Sequence, residues 1–364
     1  MKKTASFPGK YIQGSGAILE LESIIRRFGS KALILISKTA KKYLPADYFQ
    51  PPLSAMISIE DFGGECCEEA LEDLSHRIGQ SKSDVIVGMG GGKVIDTAKI
   101  AADRASLPII IVPTIASTDA PCSGCAVTYS LDGTFEKVHY QRSNPSVVLV
   151  DINIIAKAPV RFLVAGMGDA LSTWFEARSC KETSSLNECG GRSTLAGQDL
   201  AKLCYDVLLK YGLRAKLDHE AGNISIALEY IIEANILLSG IGFESGGLAS
   251  AHAIHNGLTI LPETHAFYHG EKVAFGVLAG LHMNASLQHE IIEVYRFCVS
   301  LGLPVTFSDI GMAGINKEKL MRVARKSAEF GSSIHHEKVK INAEMVYDAL
   351  LKADAFGRNI ISNE

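Results

Sequence analysis

Through the first 160 or so residues, short apolar runs of strand length alternate with stretches of helical periodicity. Residues 32–36, Ala-Leu-Ile-Leu-Ile, are apolar without a break, as a strand buried on both faces must be. Residues 55–59, 84–88, 109–112 and 146–150 are further strand candidates. Residues 20–28 and 66–78 are amphipathic, the second with Leu71, Leu74 and Ile78 on one face. Strand, helix, strand in repetition predicts a parallel sheet covered by helices, because parallel neighbours need crossover connections. Residues 127–140 differ: two runs flank Leu131-Asp132-Gly133-Thr134, which predicts a β-hairpin.

After Asp151 the strand signal stops. Residues 195–211, 224–239, 271–284, 289–301, 317–330 and 343–355 have helical periodicity, with Pro/Gly punctuation at Pro159, Gly166 and residues 302–304. A length of 364 residues accommodates two domains. The expectation is an α/β protein: a Rossmann-like dinucleotide-binding domain over residues 1–160 and an all-α metal- and substrate-binding domain over 161–364.

Bulk properties exclude several function classes. Hydrophobic residues make up 47% and charged residues 21%, as in ordinary globular proteins, and the net charge of −4 gives no reason to expect nucleic acid or an anionic membrane as partner. No apolar run is expected to span a membrane, and the basic residues at the start precede no apolar core, so no secretory signal is expected. The eight cysteines include Cys122-Ser123-Gly124-Cys125, but no second such pair completes a four-thiolate site. Reduced thiols and a cytoplasmic location follow as expectations.

The turn after the third strand candidate carries Gly88, Gly90, Gly91 and Gly92, then Lys93-Val94-Ile95-Asp96, and opens a helix. Glycines let backbone approach a pyrophosphate, which the helix N-terminus favours. The turn is not a Walker loop, and Lys93 replaces the last glycine of the usual dinucleotide fingerprint. Phosphate binding follows from this chemistry; the identity of the nucleotide does not. Residues 113–121 come at the end of the fourth strand, where open α/β sheets bind ligands. Their hydroxyls and Asp119 suit ribose, nicotinamide or substrate, or simply cap a turn.

Downstream, His252 and His269 stand seventeen positions apart, and Asp169 lies in the glycine-flanked Gly166-Met167-Gly168-Asp169. Two imidazoles and a carboxylate give a zinc ion three ligands and an open fourth position. His255 shares a helical face with His252, so spacing alone leaves open which of the two binds.

These motifs together resemble the bacterial glycerol dehydrogenases of the metal-dependent alcohol dehydrogenase and dehydroquinate synthase superfamily. The resemblance rests on Ser6-Phe7-Pro8-Gly9-Lys10-Tyr11, Phe62-Gly63-Gly64-Glu65-Cys66, the glycine turn and residues 113–123. It continues through Gly168-Asp169-Ala170-Leu171, Gly242-Phe243-Glu244-Ser245-Gly246-Gly247, the His252 segment and His269-Gly270-Glu271-Lys272. It implies zinc on Asp169, His252 and His269. It implies NAD contacts from Gly92, Lys93, Val94, Ile95 and Asp96, from Thr114, Ile115, Ala116 and Ser117, and from Ser123, Cys125 and Tyr129; Gly90 and Gly91 join them through the phosphate turn. Asp119 matches the substrate-contacting aspartate, and His255 stands as a proton relay or a support for the ligands. The implied reaction moves a hydride from glycerol, or another small vicinal diol, to NAD and yields dihydroxyacetone. A homo-oligomer, commonly an octamer, is implied as well. Iron-dependent relatives carry a histidine four residues after the metal aspartate; here that residue is Thr173, leaving three ligands.

One position departs from the pattern. The aspartate usual after this early strand, suited to the adenosine ribose, is replaced by Ser37-Lys38, so NADP is not repelled there. Residues 263–268 also lack some of the usual aromatic and histidine side chains. The rivals are an NAD(P)-dependent reductase of small 2-oxo acids or another alcohol on the same scaffold, a dehydroquinate synthase-like lyase, and a non-catalytic binding protein. No dense basic set for a phosphorylated polyol accompanies the histidines, which weighs against the lyase.

Overall fold

The computed structural model describes all residues except 1, 46–47, 50–56, 132–133, 285 and 364. Strands β1 (Tyr11–Gly14), β2 (Ala32–Ile36), β3 (Ile57–Asp61), β4 (Val85–Gly90), β5 (Ile109–Pro113) and β8 (Val147–Asp151) form one sheet. Its order is β1-β8-β5-β4-β2-β3, and every pair is parallel. The inner strands β2, β4, β5 and β8 are buried at every residue, which is why their sequences are unbroken apolar runs. The edge strand β1 pairs only with β8 and reads Tyr-Ile-Gln-Gly; half-buried, it lacks the apolar signature that marks the others. Strands β6 (Cys125–Tyr129) and β7 (Phe135–Tyr140) form the expected hairpin, antiparallel. Its turn residues Asp132 and Gly133, and residues 55 and 56 of the expected strand 55–59, lie outside the described residues.

Helices α1 (Leu21–Phe28), α2 (Glu68–Ser81) and α3 (Gly92–Ala105) interleave with the strands, and the short α4 (Ile152–Ile155) follows the last of them. The chain then turns helical: α5 (Val160–Thr183), α6 (Leu195–Glu220), α7 (Ile226–Glu233), a five-residue π-helical segment Ala234–Leu238, α8 (Ser239–Gly246), α9 (Ser250–Leu258), α10 (His269–Met283), α11 (Gln288–Leu301), α12 (Lys317–Ser327) and α13 (Ala343–Asn363). Between β2 and β4 the winding reverses: β3 lies outward of β2, and the chain returns to β4 on β2's other side. Such a switch point opens a crevice at the carboxyl ends of the strands.

Two expectations are corrected. Gly166 is not punctuation but lies inside the 24-residue α5. A Cβ on Gly166 would sit 2.0 Å from the Ala116 carbonyl oxygen, and one on Gly168 would sit 2.5 Å from that of Gly270. Glycine lets α5 touch both the loop after β5 and the start of α10, a tertiary demand that outweighs its poor helix propensity. One helical stretch, Ile226–Gly246, also has the length and mean hydropathy (1.5) of a membrane span, against the expectation of none; 72% of that window is buried, as in a core helix. A single apolar cluster runs from Leu33 and Ile86 in the sheet through Met167 and Phe275 to Ala353, so helices and sheet share a core.

Candidate active site

A cavity of about 460 Å³ opens at the switch point, between the strand ends and the helices. On the sheet side it is lined by Ser37, Gly91, Gly92, Lys93, Val94, Asp96, Ile115, Ser117, Asp119, Ser123, Cys125 and Tyr129. Gly90, Ile95, Thr114 and Ala116 stand behind that wall: the Thr114 N–H donates to the Gly90 carbonyl at 3.0 Å, and Ile95 is core. The N-cap of α3 is Gly91, and no side chain caps the helix. Its first N–H groups thus face a cavity with a positive dipole end, which suits an anion. Lys93 pairs with Glu65 at the rim.

The steric reason for glycine differs along this turn. A Cβ on Gly90 would meet Val94 at 2.8 Å, and one on Gly91 would meet the Ile115 side chain at 2.8 Å. At Gly92 the nearest atom is Thr118 Oγ1, at 3.5 Å. Only at Gly92 does the protein itself leave room for a side chain.

On the opposite wall Asp169, His252 and His269 converge, one donor atom from each lying within 4.8 Å of the others. Asp169 Oδ1 is 3.1 Å from His269 Nε2 and 3.7 Å from His252 Nε2. Close backbone contacts bring the three together. A Cβ on Gly270 would lie 1.8 Å from the Ala165 carbonyl oxygen, and one on Gly276 would lie 2.5 Å from that of Ala251. The glycines beside the ligands therefore seat α10 on α5 and α9.

The imidazoles are held from behind. His252 Nδ1 lies 2.6 Å from Glu176 Oε2, while Glu176 Oε1 accepts from the His252 and Ala249 N–H groups at 3.0 and 2.8 Å. His269 Nδ1 lies 3.0 Å from His255 Nε2, and His255 Nδ1 lies 3.1 Å from Asn256 Oδ1. Burial, reinforced by neighbouring His269 and Lys272, holds His255 well below its ordinary pKa, hence neutral. The consistent tautomers run one way: His269 donates from Nδ1 to His255, and His255 donates to Asn256. In their neutral forms His252 and His269 each keep the Nε2 lone pair toward Asp169; against burial, Glu176 and Asp169 raise the His252 pKa to about 10, so a cation and a proton compete for its Nε2. The two neighbouring histidines thus part company, His252 joining the cluster and His255 standing behind His269.

The donor set fits a divalent cation. Asp169 Oδ1 is fully buried and has no hydrogen-bond partner among the described residues. Burial, and then the adjacent Asp169 carboxylate, push Asp119 well above the usual carboxylate range, a repulsion that a cation offsets. Thr173 takes no part in the cluster: its Oγ1 is 2.8 Å from Ser239 Oγ, which donates to Asp119 Oδ2 at 2.9 Å. Asp119 also donates its N–H to Asp169 Oδ2 at 3.2 Å.

Sequence reasoning missed Glu176, Ser239, Lys99 and Glu244. Glu176 stands two helical turns after Asp169, a spacing that carries meaning only once 160–183 is read as one helix. The cysteines are free; Cys122 and Cys125 are buried beside the cavity and act as small wall residues.

Known proteins resemble this chain over nearly its whole length. The profile of the iron-containing alcohol dehydrogenase family matches residues 8–152. The chain is 49% identical over 359 residues to a glycerol dehydrogenase of Thermotoga maritima, covering 98% of each chain. It is 44% identical over 360 residues to a glycerol dehydrogenase of Citrobacter freundii, covering 98% of this chain and 99% of that one. The crystal structure of a probable glycerol dehydrogenase from Sinorhizobium meliloti superposes with a TM-score of 0.93 at 44% identity, covering 99% of this chain and 100% of that one.

Proposed function

The chain belongs to the glycerol dehydrogenases of the iron-containing alcohol dehydrogenase family, and from that premise we propose how its cleft carries out the reaction. It is an NAD-linked, metal-dependent dehydrogenase that oxidises glycerol. The observation that carries the assignment of roles is the meeting, across one cavity, of an uncapped glycine turn and the Asp169, His252 and His269 cluster.

Asp169, His252 and His269 would hold the metal, and the glycine turn with Ser117, Ser123, Cys125 and Tyr129 would hold the dinucleotide. When bound, the ion supplies Lewis acidity toward the hydroxyl being oxidised, and the nicotinamide accepts the hydride. Glu176 and His255 fix the two imidazoles in the metal-binding tautomer, which keeps the donor set rigid. Asp119, oriented through Oδ2 by Ser239, lines the cavity and receives a hydroxyl of the diol. Phe162, Phe243 and Leu248 line the same cavity and give it an apolar side. In balance, the central carbon of glycerol gives its hydride to the nicotinamide and the attached oxygen gives its proton to solvent, leaving dihydroxyacetone and NADH.

Zinc is the proposed metal. Three protein ligands, with position 173 engaged by Ser239, suit a tetrahedral ion with one open place. The same donors also suit iron(II). The deciding experiment reconstitutes metal-stripped protein with zinc or iron(II) and assays glycerol, other diols, simple alcohols and 2-oxo acids with NAD(H) and NADP(H). Glycerol oxidation restored by zinc supports the reading; restoration by iron(II) alone, or preference for a 2-oxo acid, overturns it. A homo-oligomer, up to an octamer, and a cytoplasmic setting belong to the same proposal. Exposed Leu203, Leu213 and Leu217 on α6, with Ile226 and Tyr230 on α7, support association, which light scattering tests.

A further inference from the structure

Behind the 120–125 loop stands Lys99, projecting from α3 and only 2% exposed. Its Nζ donates to the Ala120 carbonyl at 2.9 Å, to Ser123 Oγ at 3.2 Å and to the Cys125 carbonyl. Three acceptors use all three N–H bonds of an ammonium. None of these partners is a carboxylate; Asp96, Asp119 and Glu244 feel the charge from farther off. Burying an ammonium is costly unless each donor is satisfied, so the charge is held there by this one loop. Glu244, from α8, grips the same loop from the helical side. Its Oε1 accepts from the Gly124 N–H at 2.8 Å, and its Oε2 accepts from Asn144 Nδ2, which also donates to the Cys122 carbonyl at 3.0 Å.

The loop joins the two ends of the reaction site. Asp119, at its start, lies on the substrate side, and Ser123 and Cys125, at its end, lie on the dinucleotide side; all three line the large cavity. Lys99 does not line that cavity. It faces a smaller one of about 300 Å³ on the far side of the loop, with Asp103, Asn144 and Pro145. Lys99 therefore reaches the reaction through the loop it holds and, from farther off, through its charge on Asp119 and Asp96.

We propose that Lys99 is a positioning residue for hydride transfer: by tying both ends of the 120–125 loop to one ammonium, it fixes the separation between Asp119 and the nicotinamide side of the cleft. Glu244 sets the same loop against the helices. The inference rests on the reading of this cleft as the site of glycerol oxidation. Its physical content is that hydride transfer depends steeply on donor–acceptor placement, while binding of either partner alone does not.

The test uses full-length, metal-loaded Lys99→Met, which keeps the length of the side chain and removes the donors. Expected are unchanged metal content, NADH affinity by fluorescence close to that of the wild type, and a kcat lower by about 100-fold, the order that a 1 Å misplacement costs. The isotope effect with deuterated glycerol should be at least as large as in the wild type, as it must be when hydride transfer limits. A kcat like that of the wild type, or a fall in kcat with loss of the isotope effect, overturns the assignment. If Lys99→Met does not fold, Glu244→Gln decides on the same readouts: it keeps an acceptor for Gly124, so a smaller fall with a retained isotope effect supports the assignment, and no change overturns it. Metal-loaded wild type that leaves glycerol unoxidised overturns the parent reading, and the role of Lys99 with it; normal wild-type turnover with unmoved variants overturns the role of Lys99 alone.

Discussion

The two walls of the cleft are built on different physics. The sheet wall presents backbone: a glycine turn, an uncapped helix start and a loop after β5, all close in sequence to the strands that place them. The helical wall presents side chains from α5, α9 and α10, drawn together over a hundred residues of chain. A wall of backbone is damaged by adding atoms, and a wall of side chains by removing them. Damage to the glycine turn of the first should touch the dinucleotide alone, whereas damage to the second should touch metal and turnover together.

The largest effect is expected at the helical wall. Asp169→Asn, His252→Ala and His269→Ala should each lose bound metal, and with it glycerol oxidation to the detection limit. Elemental analysis of the purified variants is the check. Full metal occupancy in His252→Ala would show that the cluster is not a ligand set and would break the comparison outright.

Next come the side chains behind the ligands. Glu176→Gln and His255→Ala leave all three donors in place but free one imidazole to rotate. Losses of about 10- to 100-fold in metal affinity or turnover are expected, the usual cost of removing such a support. A competitive metal titration measures this. His255→Ala should still fill with metal at saturating concentration, and failure to do so would move His255 into the ligand set.

The same contrast explains what was legible in the sequence. Strands β2, β4, β5 and β8 stood out because burial on both faces demands unbroken apolar runs, whereas the edge strand β1 has only a half-buried Tyr-Ile-Gln-Gly and did not. On the helical wall the ligand types were legible but not their geometry. Helix α5 was hidden because Gly166 is read locally as a breaker, while the cause of Gly166 and Gly168 is the approach of Ala116 and Gly270, distant in sequence. Glu176 was hidden with it. Lys99 and Glu244 gave no local signal, since a buried charge looks like a surface charge until its partners are known.

At the sheet wall the effect is expected to be smaller and confined to one ligand. Gly91 is a poor probe, because its Cβ would strike Ile115 before it met any ligand. Gly92→Ala is clean: the added methyl has only Thr118 Oγ1 nearby, at 3.5 Å. NAD affinity by calorimetry should fall about tenfold, roughly 1.4 kcal/mol, with metal content and melting temperature unchanged. Unchanged NAD affinity would mean that the turn does not meet the pyrophosphate.

The smallest effect is expected at Ser37, a side chain at the edge of the sheet wall. Ser37 follows β2 at the switch point, lines the cavity, and accepts from the Ala40 N–H through Oγ at 3.0 Å. Lys38 beside it is exposed, and Lys41 is paired with Asp61, which lies opposite Ile36 in the register. Lys41 and, more weakly, Lys38 hold the Asp61 carboxyl below its usual range, so this carboxylate is already paired. A 2′-phosphate on the adenosine ribose would therefore meet a hydroxyl and a lysine instead of the acidic residue that normally rejects it. Ser37→Asp keeps an acceptor for Ala40, so the local turn should survive, and it restores the repulsion. The kcat/KM ratio of NAD over NADP should rise by about tenfold, or 1.4 kcal/mol, chiefly through a loss with NADP. The comparison of both cofactors in one assay matters, because a general disturbance of the corner would lower both alike. Equal losses would show that Ser37 does not face the ribose, and would leave the preference between the two cofactors to other contacts.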